Sequence, residues 1–256
     1  MIDFEVLGCH GGELPGRRTT SFLIDGKLAI DAGALCEALE LPRLLEVDHV
    51  VLTHSHFDHV KGLPLMADLL VGARDEPVVV HASPDCVDCL RRDVFNDRLW
   101  PDFTRLPSPS RPVLRLEPFT VGKSFSVGPY TITSRLVNHP VEAVGLVVEK
   151  AGSALAVSGD TGPTEAFWEM VNGRRDLRLL LLETSFPDAL ADLARASGHL
   201  TPAALEREVS EKLTRPGLDI RLYHLKPAYL DLLYREIGAL NLPGVRILET
   251  GQKIAV

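Results

Sequence analysis

The chain has 256 residues and a formal net charge of −8; 45% of its residues are hydrophobic and 24% are charged. This composition is near the average for a soluble globular protein, and it excludes a disordered chain, a coiled coil and a collagen-like fibre. No apolar stretch approaches the roughly 20 residues that cross a bilayer, and residues 1–5 lack the basic start and apolar core of a signal peptide. We therefore expect a cytoplasmic protein without a membrane partner.

The acidic balance also predicts which partners the chain can bind. Nucleic-acid binding depends on lysine and arginine beside phosphates, so a chain with 27 basic and 35 acidic residues is expected to bind no nucleic acid. A small anion could still bind if a metal ion supplied the positive charge. The four cysteines are too few for a disulfide framework, and we expect free thiols, although Cys86 and Cys89 resemble half of a zinc knuckle.

Short apolar runs alternate with helical patterns along the whole chain. The runs predict strands at residues 4–7, 22–24, 50–52, 78–80, 144–148, 155–157, 179–182 and 220–225. Many of these runs are continuously apolar, which indicates strands buried on both faces in a sheet covered by helices. Between them, residues 101–118 contain five prolines and predict a long surface connection.

Two helices are predicted near the C-terminal end. Thr201 and Pro202 form a helix start, because threonine caps a helix and proline fits its first position. Leu205, Val209 and Leu213 then fall four residues apart, on one face. A second helix is predicted to run from Pro227 towards residue 240. Strands and helices intermixed in this way indicate a layered α/β architecture.

The strongest chemical signal follows the strand that is predicted to end at Thr53. His54, His56, Asp58 and His59 lie within six positions. On an extended strand end, His54 and His56 point to the same side and could share one metal, whereas Asp58 and His59 follow the turn and could face a second metal. Imidazole nitrogen and carboxylate oxygen suit zinc, iron or manganese. A histidine-rich polar loop is the alternative, but this spacing is far more specific than a single His-x-His.

Three further candidate ligands follow other predicted strands. His139 comes after residues 130–137, Asp160 after residues 155–159, and His224 after residues 218–223. Loops on a rigid scaffold commonly carry functional groups at such positions. Each residue alone could belong to a capped turn or to the surface, but together with the first group they predict a site for two metals.

These residues, in this order, resemble the metal motifs of the metallo-β-lactamase superfamily. The resemblance implies a first metal held by His54, His56 and His139, a second held by Asp58, His59 and His224, and a bridge at Asp160. It implies two divalent transition-metal ions as cofactors, with zinc favoured and manganese or iron as alternatives. It also implies an α/β fold of the αββα type, with two mixed sheets face to face and helices outside. Because both halves supply ligands, we expect residues 1–256 to form a single domain.

Further segments resemble class II 3′,5′-cyclic-nucleotide phosphodiesterases within that superfamily. They are residues 6–12, 28–33, 94–101, 182–187, 198–202 and 223–227. The most selective are Gly-His-Leu-Thr-Pro at 198–202 and His-Leu-Lys-Pro at 224–227, since the ribonuclease Z branch differs around the last ligand. The resemblance implies a small-molecule partner, a cyclic nucleotide with cyclic AMP favoured, hydrolysed to its 5′-monophosphate by a hydroxide shared between the metals.

Several residues are candidates for catalysis or substrate binding beside the metals. Asp58 and His199 are the expected catalytic residues, together with Glu183, which would orient His199. Trp100 could stack on the base, and Asn96 could bond its edge. Lys226 could contact a phosphate as a point charge. For these three residues the alternative role is ordinary packing or solvation.

Three other functions stay open at this level. A ribonuclease Z-like nuclease would use the same metals, but the net charge of −8 and the lack of a basic stripe argue against it. A carboxyl-ester or lactone hydrolase would use the same binuclear site, and the ligands alone do not exclude it. A non-catalytic metal-binding module is disfavoured because all seven expected ligands are present. The sequence does not indicate the oligomeric state.

Overall fold

The computed structural model describes residues 1–215, 217–242 and 244–256, and two mixed sheets form most of it. The strands are, in chain order, β1 (Asp3–Gly8), β2 (Ser21–Ile24), β3 (Leu28–Ile30), β4 (His49–Val51), β5 (Val78–Ala82), β6 (Pro107–Ser108), β7 (Arg111–Pro112), β8 (Leu114–Pro118), β9 (Ser124–Val127), β10 (Tyr130–Leu136), β11 (Val144–Lys150), β12 (Ser153–Val157), β13 (Leu177–Glu183), β14 (Asp219–Tyr223), β15 (Val245–Ile247) and β16 (Lys253–Ala255). One seven-stranded sheet has the order β16-β1-β2-β3-β4-β5-β8, and the other has the order β15-β14-β13-β12-β11-β10-β9.

Helices cover the outer faces of the two sheets. They are α1 (Leu35–Ala38), α2 (Leu41–Leu44), α3 (Phe57–Val60), α4 (Gly62–Leu70), α5 (Pro84–Cys89), α6 (Ala166–Asn172), α7 (Ala191–Ala196), α8 (Pro202–Lys212) and α9 (Leu230–Gly238). A π-helical turn, Leu90–Val94, continues α5, and 3₁₀ turns lie at Asp188–Leu190 and Pro227–Tyr229. Among the described residues, no helix combines the length and the apolar character needed to cross a membrane.

Three apolar layers hold the sheets and helices together. Because successive strand residues point to opposite faces, Val50 packs in the outer layer with Leu63 of α4, whereas Val51 packs between the sheets with Leu146. A third layer lies between the second sheet and helices α6, α8 and α9. Full burial of one such side chain contributes about 1.5–3 kcal/mol. The predicted αββα sandwich, with strands buried on both faces, is therefore confirmed.

Both predicted helices near the C-terminal end are confirmed. The Thr201 side chain accepts a hydrogen bond from the Ala204 backbone nitrogen at 3.3 Å, with Pro202 at the first position of α8. Leu205 and Val209 are buried in the third apolar layer. After Pro227 the chain makes a 3₁₀ turn before α9 begins at Leu230.

The expectation of a surface connection across residues 101–118 is wrong at its C-terminal end. Strands β6 and β7 form a two-stranded ribbon, and β8 is an edge strand of the first sheet, parallel to β5. Leu114 and Leu116 alternate with more exposed residues and pack in the outer layer. Pro118 is compatible with β8 because this strand lies at a sheet edge, where a missing backbone donor costs little.

Candidate metal centre

The seven predicted ligands converge at one edge of the sandwich, where strands of both sheets end. β3 and β4 are parallel in the first sheet, and β12, β13 and β14 are parallel in the second. Their carboxyl ends therefore direct the following loops to the same edge. The loops after β4, β10, β12 and β14 carry the predicted ligands His54, His56, Asp58, His59, His139, Asp160 and His224.

The first set of ligand atoms belongs to His54, His56 and His139. These atoms lie within 4.8 Å of one another, and His139 Nε2 is 3.0 Å from His56 Nδ1. The other nitrogen of His139, Nδ1, lies 2.9 Å from the backbone oxygen of Gly198 and donates to it, which directs Nε2 into the set. Burial lowers the pKa of all three rings, which favours the neutral form that a metal requires.

The second set belongs to Asp58, His59 and His224. His224 Nε2 lies 3.2 Å from His59 Nε2 and 3.3 Å from Asp58 Oδ2. Burial alone would raise the pKa of Asp58, but the His224 and His59 rings outweigh it and hold that pKa well below its usual range. The carboxylate is therefore ionised. Asp58 and His59 lie on α3, which begins directly after His54 and His56. The change from extended chain to helix therefore places these two pairs of residues in different ligand sets.

Asp160 lies between the two sets. Its Oδ2 is 3.0 Å from His224 Nε2, 3.2 Å from His59 Nε2 and 3.7 Å from His54 Nε2. Within the described part of the chain, the buried Asp160 Oδ1 and His54 Nε2 have no hydrogen-bond partner. Unpaired buried polar atoms are rare and call for a specific explanation. Divalent cations supply one, since the donor set consists of the nitrogen and oxygen ligands that transition metals prefer.

Asp31 is a supporting carboxylate whose role beside the ligands is not predicted from the sequence. Its Oδ2 lies 2.7 Å from His59 Nδ1, and its two oxygens accept hydrogen bonds from the backbone and side chain of Thr53. Thr53 Oγ1 in turn lies 3.0 Å from His54 Nδ1. One carboxylate thus orients a histidine of each set, as is common around metal ligands. Asp31 directly follows β3, so the rule that found the other ligands at strand ends could have found it.

The backbone is held in uncommon conformations at the site. Asp31 has a φ of 57° and His224 a φ of 67°, both in the left-handed region that residues other than glycine rarely adopt. Gly198 has a φ of 66°, and a Cβ there would lie 3.0 Å from His139 Nδ1. For Asp31 and His224 such conformations cost about 1–3 kcal/mol each, and they cluster at functional sites.

His199 and Glu183 lie beside the second set. A ring nitrogen of His199 lies within 4.8 Å of ligand atoms of Asp160 and His224. His199 Nδ1 is 2.8 Å from Glu183 Oε1, and its ring stacks on that of His224 at 5.3 Å. Burial would lower the pKa of His199, but the Glu183 carboxylate outweighs burial and raises it. The predicted pair is thus in contact beside the ligands.

Residues 22–214 match the model of a β-lactamase superfamily domain. The chain belongs to the metallo-β-lactamase superfamily. It is 27% identical to a probable 3′,5′-cyclic-nucleotide phosphodiesterase of Yersinia pestis, over 88% of this chain and 79% of that protein. It is 26% identical to a ribonuclease Z of Bradyrhizobium, over 76% and 77% of the two chains. Unliganded yeast PDE1 has the same fold, with a TM-score of 0.80 at 21% identity over 97% and 98% of the two chains.

The other candidates in this metallo-β-lactamase domain lie outside both ligand sets. Asn96 Nδ2 donates to the Arg92 backbone oxygen at 2.7 Å, and its Oδ1 accepts from two backbone nitrogens of its own loop, so its amide holds that loop. Trp100 packs against the outer apolar layer. Lys226 Nζ lies 5.7 Å above the Phe186 ring, which contacts His199. Base contacts by Asn96 and Trp100 and a phosphate contact by Lys226 stay predictions.

Ser185, also missed in the sequence, connects Glu183 to a ligand. Its hydroxyl donates to Glu183 Oε2 at 2.9 Å and can then accept from His224 Nδ1, also at 2.9 Å. This arrangement keeps the lone pair of His224 Nε2 directed into the second set. Ser185 comes two residues after β13 ends, and its residue type carries no signal in the sequence.

We expect Ser185→Ala to weaken metal binding about 10- to 100-fold, the usual effect of removing a group that orients a ligand. Ser185→Thr keeps the hydroxyl and should restore most of the affinity. Competition with a chromogenic chelator measures both values. Ser134→Ala is a matched control, because Ser134 is a buried serine of β10 outside the ligand sets. Equal affinities for Ser185→Ala and the control would refute the role of the hydroxyl.

Proposed function

We propose that the protein is a class II 3′,5′-cyclic-nucleotide phosphodiesterase that uses two divalent transition-metal ions, preferably zinc, and prefers cyclic AMP. The observation that carries the proposal is the position of His199 beside Asp160 and His224, with Glu183 behind it. A proton donor next to two sets of metal ligands suits phosphodiester hydrolysis, in which one oxygen must leave.

The two ligand sets and Asp160 would hold the ions, which when bound supply Lewis acidity and activate water at neutral pH. In the reaction, water adds to phosphorus opposite the 3′ oxygen and gives up one proton to solvent, and the P–O3′ bond breaks. The His199 imidazolium donates a proton to the leaving 3′ oxygen. Glu183 favours the protonated ring and holds Nδ1, so the other nitrogen, Nε2, carries this proton. The product is a 5′-monophosphate.

A ribonuclease Z-like nuclease is the second candidate, favoured by the relative of that name. A polynucleotide brings many phosphates to the protein surface, and a chain of net charge −8 opposes them. A cyclic nucleotide brings a single phosphate, which two metal ions can neutralise without a basic surface. The cyclic nucleotide is therefore the better substrate, and the named Yersinia relative supports the same choice.

The test is turnover by the zinc-loaded protein of cyclic AMP, cyclic GMP, a tRNA precursor and a lactone. We expect cyclic AMP to be converted to 5′-AMP faster than any other compound is consumed, with weak or no cleavage of RNA. Chromatography of the products separates 5′-AMP from 3′-AMP. For the substrates that contain phosphate, detection of phosphorus in the products measures the rate.

Each alternative result has a definite meaning. Faster cleavage of the tRNA precursor would make the protein a nuclease, and faster lactone opening would make it a carboxyl-ester hydrolase. Formation of 3′-AMP would keep the phosphodiesterase assignment but reverse the leaving oxygen and the role of His199. No turnover with metal bound would favour a binding module.

A further inference from the structure

A groove is lined largely by the residues that follow the ligand loop of His224. It has a volume of about 350 Å³, within the range of small-molecule sites, which is about 300–1,000 Å³. Its lining includes Arg17, the 3₁₀ turn Pro227–Tyr229, and Tyr234 and Arg235 of α9. Arg17 belongs to a tight turn, in which its backbone nitrogen and oxygen both bond to Leu14.

The groove lining is continuous with the loop that carries the ligand His224. Pro227 comes three residues after the ligand His224, and a Cβ on Gly12 would lie 3.3 Å from the Pro227 ring. The Tyr229 ring centroid is 6.3 Å from that of Phe186, and the Phe186 centroid is 5.7 Å from that of His199. A continuous aromatic wall therefore connects the groove to the candidate proton donor.

Three cations have no carboxylate partner among the described residues: Arg17 and Arg235 in the groove lining, and Lys226 over the Phe186 ring. Among the described residues, no acidic side chain forms an ion pair with Arg17, Lys226 or Arg235, although Asp231 also lines the groove. Most other basic groups of this acidic chain are paired, as are Lys61, Arg105 and Arg174. Within the described residues, Arg235 Nε bonds only to the backbone oxygen of Asp231, at 3.2 Å. The guanidinium groups are therefore available to a bound anion.

We propose that this groove binds the second phosphate of a nucleotide whose first phosphate lies at the metal centre. The proposal rests on the phosphodiesterase function. Arg17 and Arg235 present planar forks of donors that match a phosphate, and Lys226 adds a point charge at the inner end. Tyr229 and Tyr234 offer rings on which the base can stack. The site would then accept, besides cyclic AMP, nucleotides with a second phosphate group, such as dinucleotides.

The test compares two ligands that differ by a single phosphate, 5′-AMP and adenosine 3′,5′-bisphosphate. Calorimetry on the zinc-loaded protein measures their affinities, so the readout does not depend on turnover. We expect the bisphosphate to bind about tenfold more tightly, the contribution typical of a charge-assisted hydrogen-bonded contact. The double variant Arg17→Gln, Arg235→Gln should reduce this ratio to near one. Arg246→Gln, which changes an exposed arginine of β15, should keep it.

Two results would overturn the groove assignment. One is a ratio near one in the unmodified protein, and the other is a ratio of about ten that survives in the double variant. If the double variant does not fold, the single variants Arg17→Gln and Arg235→Gln decide the question, each expected to lose part of the ratio. Failure of the function proposal is distinguishable, because hydrolysis of cyclic AMP is measured separately and its absence leaves the binding ratio intact.

Discussion

Asp160→Ala is expected to abolish retention of both metal ions. The Asp160 carboxylate lies between the two ligand sets, within 3.2 Å of His59 Nε2 and His224 Nε2, and its second oxygen has no partner among the described residues. Groups that merely orient ligands typically contribute 10- to 100-fold to metal affinity, so loss of a shared ligand should cost more than about 100-fold at each site. Two ions per chain in the unmodified protein should fall to none.

Elemental analysis after zinc supplementation and gel filtration measures this expectation. His10→Ala is the control, because His10 is also buried beside the site but belongs to neither ligand set. Burial and the nearby Arg17 lower the pKa of His10 to about 4, so the variant removes a neutral ring. An Asp160→Ala protein with the metal content of the His10→Ala protein would show that Asp160 does not bridge the ions.

The local part of the site could be predicted from sequence because it depends on chain geometry alone. His54 and His56 share a set because side chains alternate along an extended segment, and Asp58 and His59 join the other set because a helical turn follows. The remaining ligands follow from the rule that parallel strands end at the same edge of a sheet.

The rest of the site depends on contacts between distant segments, which spacing does not encode. Asp31 and His59 are far apart in sequence, and their hydrogen bond follows from the pairing of β3 with β4. The bonds of the Asn96 amide to its own loop are likewise not encoded in the spacing, and a base contact by Asn96 stays a prediction. The edge strand β8 was missed because its proline and single apolar positions are equally compatible with a loop.

We expect His199→Ala to lower kcat for cyclic AMP about 10²–10³-fold while both metal ions remain bound. Removal of a donor that acts on charge developing in the transition state typically has this effect. His199 contacts Glu183 through Nδ1 and is only 8% exposed, so its other nitrogen is fixed in position rather than free to reorient. Since the same ring stacks on the ligand His224, metal content must be measured on the same sample.

The control for this variant is His81→Ala, another substitution of a buried histidine. His81 lies on β5 and contacts His49 and Phe125, away from the ligand sets. Its loss should reduce stability through packing but should leave kcat for cyclic AMP within about twofold, since most substitutions outside a site change stability rather than chemistry. If the His199→Ala protein holds both ions and has the same kcat as His81→Ala, His199 is a turn residue without a catalytic role. The leaving 3′ oxygen would then have to take its proton directly from water.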